Sequence, residues 1–200
     1  MRRGSDDWRV FCALEFPREV CARASEHIKR LRQIFRDINR GWNRDGKFHL
    51  TLKFLGEIPQ TRVAVLSRAA SLAVEESSPF KVIVEGVGAF PALGPPKVLW
   101  IGISDPTNNL NKLYQRLEDE CAQEGFAKEQ RPFHPHLTLA RLRKPQGART
   151  LAAAHNDMLF DPIEIVVSEL LVIRSELSSE GSKYSVVSRH LLGARASLPA

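Results

Sequence analysis

The residues of this chain best suited to chemistry occur in a string that is repeated. His49-Leu50-Thr51-Leu52 returns as His136-Leu137-Thr138-Leu139, 136 − 49 = 87 positions later. Successive side chains of a β-strand point to opposite faces. Each copy, read as a strand, therefore anchors itself in a core through two leucines and shows a His-Thr pair on its other face. An unperturbed imidazole titrates near ~6.5, so one histidine can be neutral and the other protonated near pH 7. A neutral imidazole can take a proton from water, and a protonated one can give a proton to a leaving alkoxide. Threonine hydroxyls can donate to the non-bridging oxygens of a phosphate. Two such strands facing one cleft make an acid-base device for phosphoester chemistry with no metal and no covalent intermediate.

One HLTL alone is a weak signal, but two copies in one chain are hard to assign to chance. The rival reading is a metal site, because His134 and His136 form an HxH pair that would share a strand face. The first copy carries HxT instead, and no carboxylate or cysteine neighbours either copy, so no metal and no cofactor is expected. His134 is read as a cleft-wall residue, while His27 and His155 are read as structural and His190 is unassigned.

Parity ranks the neighbours. Lys53 falls on the face of His49 and Thr51 and is a candidate for attracting phosphate. Arg141 falls on the leucine face under strict alternation and reaches the site only if the strand bulges near Ala140. Phe48 and Phe133 fall on the leucine face and read as core; Trp100 is open to either reading.

The elements that must position these residues follow from hydrophobic period. Residues 9–16 read as a buried strand stopped by Pro17. Residues 18–38 carry Val20, Ala24, Ile28 and Leu31 at helical spacing. A polar turn is expected at 41–46, the first motif strand at 47–55, and a helix at 61–75 with Thr61 as N-cap. Strands are expected at 80–87 and 97–102, separated by a Gly/Pro-rich loop at 88–96. A helix follows in 106–125, then the second motif strand at 132–142 and a short helix at 148–154. Two strands, 163–175 and 183–192, form a hairpin through 178–182. Each half thus runs strand, helix, motif strand, as a duplicated lobe would. Residues 193–200 read as a loose tail.

Bulk properties agree. The 200 residues, 43% hydrophobic, suit one domain of two associated lobes spanning the chain. No run approaches a membrane span, and no signal-type apolar segment opens the chain, so a cytoplasmic protein is expected. Cys12, Cys21 and Cys121 show no CxxC spacing and read as small apolar residues. The net charge of +6 favours an anionic partner.

These residues resemble the 2H phosphoesterase superfamily, named for two HxT motifs, and within it the bacterial and archaeal RNA 2′,3′-cyclic phosphodiesterases, also called 2′-5′ RNA ligase-like. The resemblance rests on Arg9-Val10-Phe11-Cys12-Ala13-Leu14, on Phe48 through Glu57, on Val98-Leu99-Trp100, on Arg131 through Arg141, and on Ile173 through Leu177 followed by Gly181 and Tyr184. It implies an α+β fold of two pseudo-symmetric lobes, with antiparallel sheets lining a central groove and helices outside. It also implies hydrolysis of RNA-terminal or small-nucleotide 2′,3′-cyclic phosphates to 2′-phosphates; the protein is expected to be a monomer. His49 would be the proton donor and His136 the acceptor, with Thr51, Thr138 and Arg141 on the phosphate. This division of roles comes from the resemblance alone. Lys97 stands where the family often carries arginine, which loses the bidentate fork. The same acid-base pair could also run 2′-5′ ligation or 2′-5′ phosphodiester cleavage, and a non-catalytic RNA-end-binding protein is the reading from another class.

Overall fold

The computed structural model describes residues 6–37, 41–43, 48–142, 146–178 and 181–193. The chain runs β1 (Asp7–Glu15), α1 (Arg18–Ile34), β2 (His49–Pro59), α2 (Val63–Glu75), β3 (Phe80–Phe90), β4 (Val98–Ser104), α3 (Asn109–Gln123), β5 (His136–Arg141), α4 (Ala148–Asp157), β6 (Ile163–Val167), β7 (Glu169–Ser178) and β8 (Gly181–Leu191). A 3₁₀ turn, Gln60–Arg62, leads into α2. It displaces the expected Thr61 cap, since the residue before α2 is Arg62 and makes no side-chain cap bond.

Two four-stranded antiparallel sheets result, in the orders β2-β1-β7-β8 and β5-β4-β3-β6. The duplication is visible in them: each motif strand lies at the end of a sheet, next to the first strand of its own half. One inner strand of each half crosses over. β3 joins the second sheet beside β4, and β7 joins the first sheet beside β1. α2 and α3 pack on one another over the first sheet, and α4 lies on β3 and meets α1. A second, smaller cluster, Phe11, Ala13, Leu171 and Ile173, is buried on the other face of the first sheet, and β2 and β5 touch where the sheets meet.

Three expectations are corrected. The strand expected to stop at Val87 continues to Phe90. Gly88 is part of it because the Trp100 indole lies across that position; a Cβ there would come within 2.3 Å of the ring. β2 does not stop at Gly56, whose positive φ of 73° is absorbed inside a strand that runs to Pro59. The strand expected over 163–175 is two strands: the chain passes from β6, paired with β3, to β7, paired with β1, across Ser168. Much of the expected turn at 41–46, the hairpin tip and the tail from 194 onward lie outside the described residues.

The larger core cluster takes the leucine faces of both motif strands. Leu50 and Leu52 are 2% and 4% exposed, and Leu137 and Leu139 are fully buried. Burial of this kind is worth roughly 1.5–3 kcal/mol per leucine. His155 lies in α4 and forms a buried chain with His27 of α1. Its Nε2 sits 3.1 Å from the Trp100 carbonyl, and its Nδ1 lies 2.9 Å from His27 Nε2. The carbonyl can only accept, so His155 Nε2 carries the proton, and His155 Nδ1 accepts from His27.

A proton added to this chain would remove its acceptor and place charge against charge in the interior. Burial and the neighbouring His155 push His27 down from 6.5 to about 4. The folded state therefore refuses a proton that the unfolded chain accepts. Stability is at its full value above pH ~6.5 and falls as the pH drops towards 4. Urea midpoints measured at pH 7.5, 5.5 and 4.5 should decrease in that order, and a His27→Gln/His155→Gln protein should lose part of the slope.

Candidate active site

Both motif strands carry their candidate residues on the face opposite the leucines. His49 is half-buried and Thr51 exposed on β2; His136 and Thr138 are half-buried on β5. The alternation then breaks at matching places. On β2, Ala13 pairs with Thr51 and Cys12 with Lys53, so Leu52 is an extra residue opposite β1. On β5, Trp100 pairs with Thr138 and Leu99 with Ala140, so Leu139 is the extra residue. These are β-bulges, each of which reverses the parity beyond it. They lie at equivalent positions, 139 − 52 = 87 residues apart.

The bulges redistribute the candidates. Beyond Leu139, Arg141 turns onto the face of His136 and Thr138, pairs with Val98, and is exposed. The condition that parity set for it is met. Beyond Leu52, Lys53 turns away from His49 and Thr51, contrary to the expectation from strict alternation. Lys53 is 4% exposed; its ammonium lies 2.7 Å from Glu118 Oε2 of α3 and 2.8 Å from the Ala127 carbonyl. It is an interior ion pair behind β2 and reaches no groove phosphate. Phe54 takes the open face in its place. It is 50% exposed, with the Arg9 guanidinium 4.5 Å from its ring centre. Parity alone hides Phe54, because the signal for it is the bulge.

Arg141 is also held by its backbone. Its N–H donates to the Gly41 carbonyl at 2.7 Å, and Asn43 N–H donates to the Leu139 carbonyl at 2.8 Å, so a short segment seals the free edge of β5 at the bulge. Gly41 has φ 92°, and a Cβ there would stand 2.1 Å from the Arg141 carbonyl oxygen. Only glycine permits this approach.

The histidines sit in different surroundings. His136 Nδ1 lies 2.7 Å from the His134 carbonyl. That oxygen only accepts, so Nδ1 carries the hydrogen and Nε2 offers its lone pair to the groove. Burial chiefly, with Arg141 and His134 adding to it, holds His136 below the usual histidine range, although the His134 carbonyl opposes them. At neutral pH it is an uncharged imidazole with a free acceptor. Phe90 meets it edge-on at 5.2 Å, and Trp100 stands 6.4 Å away. Trp100 is thus on the groove side, packed against Phe90 at 5.1 Å. His49 packs against Phe11 at 4.8 Å and edge-on to Tyr184 at 5.2 Å.

Phe48 is core, 2% exposed, and Phe133 stacks on Tyr114 at 4.1 Å. His134 is exposed beside Phe90. Lys97 is exposed, and its backbone closes the β3–β4 loop and pairs with Leu142. Among the described residues no group of three or more His, Cys, Asp or Glu is placed to hold a metal ion. Cys12 and Cys121 are buried, and burial pushes the Cys121 thiol up to about 12.

A family model, the 2′-5′ RNA ligase superfamily, matches residues 16–178. The match spans well over half of the chain, and the chain belongs to this superfamily of 2H phosphoesterases. A Thermotoga maritima protein named RNA 2′,3′-cyclic phosphodiesterase is 32% identical over 180 residues, 90% of this chain and 92% of its own. A Thermus thermophilus protein of the same name is 30% identical over 92% of this chain and 90% of its own. A crystal structure of a Thermus thermophilus protein superposes with a TM-score of 0.74 at 26% identity, covering 92% of this chain and 98% of that one. Escherichia coli LigT, solved with 3′-AMP, shares the fold with a TM-score of 0.69 at 24% identity, covering 94% of this chain and 99% of its own.

The burial of Lys53 has a measurable consequence. Lys53→Ala strands Glu118 without its counter-charge, a loss of about 3–5 kcal/mol. Thermal unfolding should register it, and Lys53→Met combined with Glu118→Leu should recover most of the loss. A surface role for Lys53 would instead leave the unfolding temperature nearly unchanged.

Proposed function

We propose that this protein hydrolyses 2′,3′-cyclic phosphates at RNA ends or on small nucleotides to 2′-phosphates, through its two motif histidines and without a metal. The observation that carries the reading is the second motif strand. It shows on one open face a neutral imidazole of fixed tautomer, a threonine hydroxyl and the Arg141 guanidinium. The names of the relatives agree with this substrate class.

In the proposed reaction, water attacks the phosphorus of the five-membered cyclic ester. Its proton passes to His136 Nε2, whose lone pair is presented by the Nδ1 bond to His134. The bond between phosphorus and the 3′ oxygen breaks, and His49 donates the proton that this oxygen takes up. Thr51 and Thr138 donate to the non-bridging oxygens, and Arg141 neutralises charge that grows on them in the transition state. Phe54, with Arg9 on its ring, offers a flat surface to a base, as do Phe90 and Trp100. A net charge of +6 draws a polyanion towards the groove. Among the described residues no helix is long and apolar enough to cross a membrane. Three free thiols are what the reducing cytoplasm would leave.

Incubation with a nucleoside 2′,3′-cyclic phosphate in EDTA should yield the 2′-phosphate, read by ³¹P NMR, with a bell-shaped pH profile. His49→Ala and His136→Ala should each lower kcat by about 10²–10⁴. Arg141→Gln should lower kcat/KM about tenfold or more, mostly through kcat, the worth of a charged hydrogen bond that strengthens in the transition state. Turnover that requires added zinc, or a near-normal kcat in either histidine variant, would overturn the mechanism.

A further inference from the structure

The two motifs are copies, yet the proposed reaction needs one histidine charged and the other neutral. Something outside the motifs must break the symmetry, and the cross-strand neighbours do so. In the first sheet, His49 pairs directly with Glu15 of β1. In the second, His136 pairs directly with Gly102 of β4. The positions correspond, since 102 − 15 = 87. Directly opposed residues of an antiparallel pair share a face, with Cβ atoms about 4.5–5.5 Å apart. One histidine therefore has a carboxylate beside it where the other has no side chain.

We propose that Glu15 is a positioning residue that assigns the two histidines their unlike roles, its carboxylate favouring the protonated form of His49. The inference rests on the functional reading above for the meaning of those roles, but the electrostatics can be tested separately. Among the described residues, the groups that meet Glu15 and His49 leave the sign unchanged. Arg189 of β8 lies 3.9 Å from Glu15 but only 2.7 Å from Glu169 of β7, so the three together carry one negative charge. Cys21 of α1 lies near Glu15, and burial pushes its thiol up, so it stays uncharged at neutral pH. Tyr184 of β8 meets the His49 ring edge-on. Around His136 the balance is opposite, with Arg141 and His134 as its charged or chargeable neighbours. Glu85 of β3 lies beyond Gly102 and accepts from the Ser104 hydroxyl.

Glu15 has its place for a structural reason as well. It is the last residue of β1, where the strand leaves the core for Pro17, and its side chain is 56% exposed. Solvent therefore weakens its reach. A unit charge ~6 Å away under water-like screening shifts a titration by about half a pH unit. That suffices to bias two imidazoles of otherwise equal pKa.

The test is imidazole titration by NMR on the full chain without substrate, with resonances assigned through His49→Gln and His136→Gln. His49 should titrate above His136. Glu15→Gln should lower the His49 midpoint by about half a unit and leave His136 in place, while Glu15→Asp restores it. The alkaline limb of kcat/KM should move down with the His49 midpoint. Raising salt from ~0.05 M to ~1 M in the unaltered protein should also lower the His49 midpoint, as the Debye length shrinks to about 3 Å. A His49 midpoint insensitive to both changes, or one lying below that of His136, overturns the proposal. Expected titrations with no turnover of cyclic phosphate would sink the functional reading and leave the electrostatic assignment of Glu15 standing. Turnover with an unmoved His49 would do the reverse.

Discussion

The site depends on a register slip. Each motif strand holds its first three residues in register with its neighbour and then inserts the fourth, Leu52 on β2 and Leu139 on β5. Without the second insertion, Arg141 would point into the core instead of sharing a face with His136 and Thr138. Without the first, Phe54 would be interior and Lys53 would stand in the groove. A bulge disrupts the ladder locally, so it persists only where neighbouring structure compensates for what it unpairs.

The two lobes compensate by different chemistry. On β2, the displaced residue is a lysine, and its ammonium is satisfied by Glu118 and the Ala127 carbonyl. On β5, the equivalent residue is Ala140, for 140 − 53 = 87, and the strand is steadied from its edge by residues 41–43. The Trp100 carbonyl, next to that bulge, accepts from His155. The exchanged strands then tie the halves together. β3 belongs to the first half but lies in the second sheet, and β7 does the converse. Opening the groove by moving one half would tear a strand from the other, so the fold favours a preformed cleft over one assembled on binding.

Much of this is legible in the sequence. The twin strings, their leucine and His-Thr faces, the strand-helix-strand order of each half and the burial of Phe48 all follow from period two and period 3.6. What parity does not supply is where alternation ends. Strict alternation misplaces Lys53 because a bulge is a choice between two hydrogen-bond patterns, and the deciding partners, Glu118 and Ala127, lie 65 and 74 residues away in sequence. It reduces Arg141 to a condition on a bulge but goes no further. Gly88 and Gly56 read as punctuation, yet both lie inside strands, one beneath an indole and one in a left-handed turn of backbone. Long-range contact decides each of these cases, and local pattern carries no record of it.

Duplication supplies two of everything, but a phosphate ester bound by its end is not symmetric. In the proposed reaction one side of the groove meets the phosphate charge and the other an uncharged base. The corresponding positions beyond the bulges divide in this way. Arg141 stands in one lobe and Phe54 in the other, the second covered by the Arg9 guanidinium stacked on its ring. Glu15 and Gly102 divide again beside the histidines. The leucines and the HxT spacing are kept in both copies because both sheets need the same packing and present the same strand geometry. Side chains one step out from that frame are free to differ, and their differences give a pseudo-symmetric scaffold a direction.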